Sequence, residues 1–208
     1  NFKSEVDLSF PIMTQTGRRW IRYSSFPIEK HKHIIAMFIS DITPLLNQEE
    51  ALYDKVHRDP LTQLFNKYTF DYHYGKRYLL EDIHVLYMDL DDFKQINDLY
   101  GHHIGNQYLV AFSEILKSYE SELNHFYRLG GDEFVGLFFE KPERVKQIAQ
   151  EIIDQTCALT IGNIKERVTI SIGIIKGTSR IDLARKADDI LYKVKSKGKN
   201  HYLYEVES

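Results

Sequence analysis

The chain has 208 residues, of which 43% are hydrophobic and 27% are charged, so it holds one full domain plus a smaller piece and is not a disordered chain. Its formal net charge is −3, without the basic excess of a protein that binds duplex nucleic acid, although local lysines could still bind a small phosphorylated ligand. The single cysteine excludes a disulfide within the chain and is typical of a reducing compartment.

The ends and the hydropathy of the chain bear on location. No apolar run approaches the roughly 20 residues that a membrane span requires. The sequence begins with Asn1 rather than Met, and no signal-peptide pattern follows. We therefore expect a piece of a longer cytoplasmic protein, with membrane contact only through an anchor further upstream, if there is one.

The first 43 residues alternate between strand-like and turn-like stretches. Three runs rich in β-branched and aromatic residues predict strands, at residues 7–13, 19–26 and 34–40. A Thr16-Gly17 turn and a polar connection at residues 30–33 separate them, which predicts an antiparallel meander. The Gly17-Arg18-Arg19-Trp20 turn and the closing Asp41-Ile42-Thr43 resemble the C-terminal part of a PAS sensory domain. The alternative is a small sheet that supports the next domain.

A helix is predicted to follow, over residues 44–58. Thr43 is a favourable N-cap, Pro44 suits the first helical position, and Pro60 disfavours a helical residue before it. An apolar stripe runs along this helix, at Leu45, Leu46, Leu52 and Val56. The stripe is compatible with a surface linker helix and with a short coiled-coil connector that transmits a signal, and its length does not decide between them.

From Asp59 onward, strand-like runs alternate with helix-like runs. Strands are predicted at residues 84–88, 125–128, 134–139, 168–175 and 202–204, and helices at residues 69–80, 106–119, 142–159 and 181–195. Crossovers combined with one hairpin predict an α/β (α+β) fold, in which helices flank a central mixed sheet. We expect three parts: a sensor-like segment at 1–43, a linker helix at 44–58 and a main domain at 59–208.

Two acidic turns follow apolar strands in the main domain. The first is Asp89-Leu90-Asp91-Asp92-Phe93-Lys94, and the second is Gly130-Gly131-Asp132-Glu133 between two strands. Carboxylates at the end of a buried strand are costly unless they are used, and carboxylate oxygens are what Mg²⁺ prefers. Each turn alone could be a solvated loop. If their strands are neighbours, both turns could converge on one metal, as in the palm of phosphoryl-transfer enzymes.

Residues from Asp59 to about Tyr204 resemble the GGDEF-domain family of diguanylate cyclases. Five ordered blocks carry the resemblance: residues 59–66, residues 89–98 with 100–105, the signature Gly130-Gly131-Asp132-Glu133-Phe134, residues 169–173 and residues 192–200. The resemblance implies a fold similar to nucleotidyl cyclases and polymerase palms. It also implies that two GTP molecules are condensed into a cyclic dinucleotide, a bacterial second messenger, in a two-fold homodimer.

The resemblance also implies roles for individual residues. Asp89, the Leu90 carbonyl, Asp132 and Glu133 would bind Mg²⁺ or Mn²⁺, and Asp132, Glu133 and Lys94 would act in catalysis. The remaining positions would bind the substrate: Asn97 and Asn106 the base, Gly130 and Gly131 the nucleotide against the turn, and Asp92, Phe93, Lys195 and Lys199 the phosphates.

Several positions depart from the family pattern. Asn106 stands where an Asp that reads guanine is usual, and an amide presents a donor as well as an acceptor. Lys199 replaces an Arg, which leaves a point charge without bidentate contact. Ser121 and Asn124 replace the usual Arg and Asp of a product-inhibition site, so we expect no such site. The main expectation is a diguanylate cyclase. The alternatives are a catalytically weak GTP-binding regulatory module and a cyclase with relaxed base choice between ATP and GTP.

Overall fold

The computed structural model describes residues 6–15, 17–28, 35–77, 82–178 and 182–207. The chain divides into two units, Asn1–Val56 and His57–Ser208. Part of the sequence-based expectations falls outside the described residues. These are Thr16 of the first turn, the connection at residues 30–33, Ile34 of the third predicted strand, the last residues of the helix predicted at 69–80, and residue 181.

The first unit is a three-stranded antiparallel sheet followed by a helix. Strand β1 (Val6–Thr14) pairs with β2 (Gly17–Pro27), and β2 pairs with β3 (Ile35–Asp41), in the order β1-β2-β3. The predicted meander is therefore confirmed. Helix α1 (Thr43–His57) begins at the predicted Thr43-Pro44 step.

The step from β3 into α1 is fixed by hydrogen bonds between Asp41, Thr43 and Trp20. The Asp41 carboxylate accepts from the Thr43 N–H at 2.9 Å, and the Thr43 hydroxyl accepts from the Trp20 N–H at 2.7 Å. None of the residues in this unit whose burial is described is fully buried. The sheet therefore has no core of its own within these ranges.

The second unit contains a six-stranded mixed sheet in the order β4-β6-β7-β5-β8-β9. The strands are β4 (Phe65–Asn66), β5 (Ile83–Asp91), β6 (Asn124–Gly130), β7 (Glu133–Phe138), β8 (Thr169–Gly177) and β9 (Tyr202–Val206). The helices are α2 (Lys67–Tyr72), continued by a π-helical turn (His73–Arg77), α3 (Phe93–Tyr100), α4 (His102–Lys117), α5 (Pro142–Cys157) and α6 (Leu183–Ser196). The predicted mixed sheet flanked by helices is confirmed.

Strand β5 is central, and its side chains alternate between two cores. Leu86, Met88 and Leu90 pack with residues of α3, α4 and α5 on one face of the sheet. Ile83 and Val85 pack on the other face, with residues of α2 and α6. Continuing this alternation places Asp89 and Asp91 on the face that α6 covers.

The structure corrects several predicted boundaries. Helix α3 was not predicted, because its eight residues are shorter than the stretch over which a helical period is recognised, although its apolar residues are spaced i, i+3, i+6 and i+7. Helix α4 begins at His102 rather than Asn106, and the helix predicted at 69–80 changes to π geometry at His73. In the described ranges, no helix combines the length and the apolar character that crossing a bilayer requires.

Candidate active site

A cleft of about 370 Å³, to which mostly polar residues contribute, opens beside the signature turn. Its walls are one face of α3, one face of α4 and the β6–β7 turn. The lining residues are Phe93, Lys94, Asn97 and Asp98 from α3, His102, Asn106 and Leu109 from α4, and Arg128, Gly131 and Asp132 from the hairpin. The cleft therefore brings together residues that are far apart in the sequence.

Helical periodicity explains which residues of α3 and α4 face the cleft. Lys94, Asn97 and Asp98 are spaced i, i+3, i+4, and the α4 residues follow at i, i+4, i+7, so each set shares one helix face. Lys94, Asn97 and Asn106 are predicted site residues, whereas Asp98 and His102 were not predicted to take part. The same periodicity would have found both residues, had α3 been recognised as a helix.

Gly105 lets the two helices approach closely at the cleft. A Cβ atom built at Gly105 would lie 2.0 Å from Asn97 Oδ1 and 3.1 Å from the edge of the Phe93 ring. Any side chain at position 105 would therefore displace Asn97. This glycine fixes the place of the residue that we expect to contact the base.

The signature turn joins β6 to β7 through a backbone that favours glycine. Gly131 has a φ of 51°, Gly130 pairs with Glu133, and the register shifts between Arg128 and Gly130. The predicted two-glycine hairpin turn is therefore present. It presents Asp132 to the cleft.

Arg128 holds this turn in place. Its guanidinium donates from Nε and Nη2 to the Gly131 carbonyl, at 3.1 and 2.7 Å, and from Nη1 to Asp59 Oδ1, at 2.8 Å. Asp59 also accepts from the N–H and the hydroxyl of Thr62, both at 2.8 Å. The first block of the family resemblance thus supports the signature turn from behind, a role that no local sequence pattern reveals.

The acidic residues of the two turns lie on neighbouring strands. Asp89 of β5 stands opposite Glu133 of β7 in the antiparallel register. Burial raises the pKa of Asp89 to about 6, the charge of Asp132 acts in the same direction, and a hydrogen bond from Lys195 opposes both. Lys195 Nζ lies 2.6 Å from Asp89 Oδ1. The expected condition for a shared metal, that the two strands are neighbours, is therefore met.

The donor set suits a hard divalent cation that shares its ligands with a substrate. The described residues contain no group of three or more His, Cys, Asp or Glu side chains that could hold a metal alone. The carboxylates instead attract a cation, because the Lys195 ammonium contacts Asp89. Mg²⁺ usually binds through one or two carboxylates, with phosphate oxygens and waters completing an octahedron. Two carboxylates, Asp89 and Asp132, lie near enough for the charge of Asp132 to raise the pKa of Asp89, which is compatible with that pattern.

We predict that Asp89→Asn stabilises the metal-free chain at neutral pH. Because the pKa of Asp89 is raised from 3.8 to about 6, ionising this carboxyl costs folding free energy. This free-energy cost is absent at a pH below the unfolded-state pKa of 3.8 and complete at a pH above the folded-state pKa of about 6. In EDTA, we expect urea unfolding at pH 8 to show a gain of about 2 kcal/mol for the variant, which shrinks toward zero at pH 4. A variant less stable than the parent at both pH values would show instead that the pair with Lys195 dominates.

The end of β5 is tied to the turn that follows α6. Lys199 Nζ lies 2.7 Å from Asp92 Oδ1. Asp92 occupies the N-cap position of α3 with a φ of 55°, but its side chain makes no capping hydrogen bond. The first N–H groups of α3, at Phe93 and Lys94, lie outside the intrahelical ladder, as at any helix start. Lys195 and Lys199, expected at phosphates, thus lie over the acidic strand end, next to that helix start.

Known proteins resemble this chain in sequence. The family described as "Diguanylate cyclase, GGDEF domain" matches residues 56–201. Diguanylate cyclase DgcM of Escherichia coli K12 is 33% identical over 196 residues, which cover 89% of this chain and 47% of that protein. Diguanylate cyclase VdcA of Vibrio cholerae is 31% identical over 169 residues, covering 75% of this chain and 48% of that protein. The chain therefore spans about half the length of these relatives.

Solved structures resemble it in fold. The coiled coil and GGDEF domain of DgcB from Caulobacter crescentus, in complex with c-di-GMP, has a TM-score of 0.68 at 23% identity, covering 78% of this chain and 93% of that one. The GGDEF domain of PA1120 from Pseudomonas aeruginosa has a TM-score of 0.63 at 28% identity, covering 71% and 94%. With a family match over most of its length, the chain belongs to the diguanylate cyclase GGDEF domain family.

Proposed function

We propose that this chain is a nucleotidyltransferase that condenses two GTP molecules into cyclic di-GMP and two pyrophosphates. One observation carries the proposal: Asp89 and Glu133 are paired across neighbouring strands, and the adjoining turn presents Asp132 to a cleft that Lys94, Asn97 and Asn106 also line. The family membership and the names of the relatives support the same activity.

In this proposal the cleft orients one triphosphate for attack by its 3′-hydroxyl. Asn97 and Asn106 hold the base between α3 and α4, and Lys94 and the first N–H groups of α3 hold the phosphates. Asp132 accepts the proton of the 3′-hydroxyl. The 3′-oxygen attacks the α-phosphorus of the other nucleotide, and pyrophosphate leaves. Repeating the step in the other direction closes the ring.

We further propose that a divalent cation is bound by Asp89, the Leu90 carbonyl, Asp132 and Glu133. When bound, Mg²⁺ or Mn²⁺ lowers the pKa of the attacking hydroxyl and neutralises charge on the phosphates. The protein's own contribution is the fixed placement of these oxygens at the ends of β5 and the hairpin.

A two-fold homodimer is part of the proposed mechanism. One cleft holds one triphosphate, and a ring with two phosphodiester bonds needs two clefts that face each other. We therefore expect pyrophosphate release per chain, with GTP and Mg²⁺, to rise with chain concentration and to level off when the dimer is saturated. A rate per chain that is constant over a wide concentration range, with the chain monomeric throughout by light scattering, would contradict the dimer.

Asn106 supports a second candidate, a cyclase with relaxed base choice. Guanine presents donors at N1 and N2, whereas adenine presents an acceptor at N1 and a donor at N6, which an Asn amide can pair. The carboxylate of Asp98 lines the same cleft. It can accept the second guanine hydrogen bond, for which the amide of Asn106 has no second acceptor oxygen. GTP is therefore our first choice, with ATP as a weaker substrate.

We predict that Asn106→Asp sharpens the preference for GTP. An acceptor-only carboxylate pairs with both guanine donors and repels the adenine acceptor, so the ratio of kcat/KM for GTP over ATP should rise by about tenfold or more. The check is a competition assay with both triphosphates, in which the cyclic products are separated by mass. Equal ratios for parent and variant would mean that position 106 does not read the base.

The remaining alternative is a regulatory module that binds GTP without turnover. The intact Asp89, Asp132 and Glu133 favour the enzyme over this module.

We also propose a cytoplasmic location, which the single cysteine supports, and a division into a sensor-like segment at 1–43, a linker helix at 44–58 and the cyclase at 59–208.

A further inference from the structure

Asp91 is a buried carboxylate that the proposed chemistry does not use. It is 4% exposed and lies at the end of β5, two residues beyond Asp89 on the same face of the strand. Like Asp89 and Lys199, it is not among the residues that line the cleft, and unlike them it has no role in the proposed reaction. A carboxylate in such a place is costly unless hydrogen bonds satisfy its oxygens.

Three donors satisfy Asp91, and they come from two separate elements. Its Oδ1 accepts from the Ser171 hydroxyl at 2.7 Å, and its Oδ2 accepts from the Thr169 hydroxyl at 2.7 Å. Both hydroxyls belong to the neighbouring strand β8. Oδ2 also accepts from the backbone N–H of Asn200, at 3.1 Å, in the turn between α6 and β9. The carboxylate thus joins that turn to the centre of the sheet.

The turn after α6 needs such an anchor. Three successive residues have positive φ: Gly198 at 118°, Lys199 at 61° and Asn200 at 52°. Residues other than glycine rarely adopt this region unless their surroundings hold them there. The Asn200 N–H bond to Asp91 supplies a fixed point inside the strained stretch.

The anchored turn carries a lysine over the site. Lys199 Nζ contacts Asp92, which directly follows Asp91 and precedes the start of α3. The backbone of Lys199 bonds directly to the Val194 carbonyl, at 3.4 Å, and to the His201 ring, at 2.7 Å, and the bond from Asn200 to Asp91 adds a tie to the centre of the sheet. The Lys199 side chain ends at the N-cap residue of α3. A shift of this turn would move the Lys199 ammonium away from the place where we expect phosphate.

We propose that Asp91 is a positioning residue, which holds the turn Gly198–Asn200 so that Lys199 meets the substrate's phosphates. This inference rests on the proposed function for its consequence in binding. The first part of the inference, that Asp91 holds the turn, does not depend on nucleotide binding. The two parts are therefore tested by separate measurements.

The first measurement is hydrogen exchange of the turn in the nucleotide-free chain. Asp91→Ala removes all three bonds, and we expect exchange in residues 197–201 to quicken about tenfold or more. Asp91→Asn can keep its oxygen toward Asn200 and Thr169 and turn its amide to the Ser171 hydroxyl, so it should largely restore protection. Ile152→Val, a buried change in α5 on the other face of the sheet, controls for general loss of stability. Unchanged exchange of the turn in Asp91→Ala would overturn the inference.

The second measurement is a double-mutant cycle on GTP kinetics with Asp91→Ala and Lys199→Ala. Each single variant should raise KM about tenfold, the loss of one charged contact, with a smaller change in kcat. If Asp91 acts through Lys199, the double variant should be no worse than Lys199→Ala alone. If the effects of the two substitutions on KM are additive, the inference is overturned, even where hydrogen exchange shows that Asp91→Ala loosens the turn. A parent chain without turnover would refute the proposed function, and the exchange experiment would still decide whether Asp91 holds the turn.

Discussion

Asp132→Asn is expected to lower the rate of cyclic dinucleotide formation by about 10³-fold or more, by removing a proposed proton acceptor and metal ligand together. The substitution keeps the shape of the side chain. Asp132 lies in the two-residue turn of the hairpin and lines the cleft without contributing to the core. The free energy of unfolding should therefore change little.

A matched control separates the effect of losing one carboxylate charge anywhere in the chain from the effect of losing it at the site. Asp154→Asn makes the same chemical change on an exposed position of α5, where the side chain accepts from Gln150 at 2.9 Å. Its turnover should equal that of the parent. The measurement is initial-rate kinetics of pyrophosphate release at saturating GTP, with unfolding in urea recorded alongside. Turnover by Asp132→Asn within a few-fold of the control would remove Asp132 from the mechanism.

Gly173→Ala is expected to cost about 3 kcal/mol or more of unfolding free energy, at the upper end for overpacking a core. Gly173 lies in β8 beneath α6. A Cβ atom there would lie 2.2 Å from the Ala187 carbonyl oxygen and 2.4 Å from the Leu191 nitrogen, both in the helix backbone. Because no side chain can rotate away, α6 as a whole must move. That movement would also carry Lys195 away from Asp89.

Gly136→Ala is the matched control for this effect. Gly136 lies in β7 of the same sheet, and the three atoms nearest to a Cβ atom there belong to side chains, at 3.0 to 3.5 Å. Its cost should be about 1 kcal/mol. Urea unfolding of both variants gives the comparison. If Gly173→Ala loses no more stability than Gly136→Ala, the close approach of α6 to β8 is not what fixes that helix.

The sheet could be predicted from the sequence because its strands are strongly patterned. Strand β5 reads as a continuous apolar run, as expected for a strand covered on both faces, and Gly130-Gly131 marks the hairpin. The two acidic turns could be recognised because each directly follows such a strand. That these strands are neighbours was only a hypothesis, since strand order is a long-range property.

The contacts that complete the site could not be predicted from local patterns. Lys199 and Asp92 are 107 positions apart, and Arg128 and Asp59 are 69 positions apart. The cleft wall formed by α3 was missed for another reason. Its eight residues directly follow an acidic turn and are too few to establish a helical period, although their apolar residues have helical spacing.

Product identification by mass spectrometry tests the central claim most directly. The purified chain would be incubated at high concentration with Mg²⁺ and GTP, ATP or both, with Asp132→Asn in parallel. We predict cyclic di-GMP from GTP, at most minor adenine-containing product from the mixture, and neither from the variant. No cyclic product at a concentration where the chain is dimeric, with GTP bound, would contradict the enzyme and leave the regulatory module.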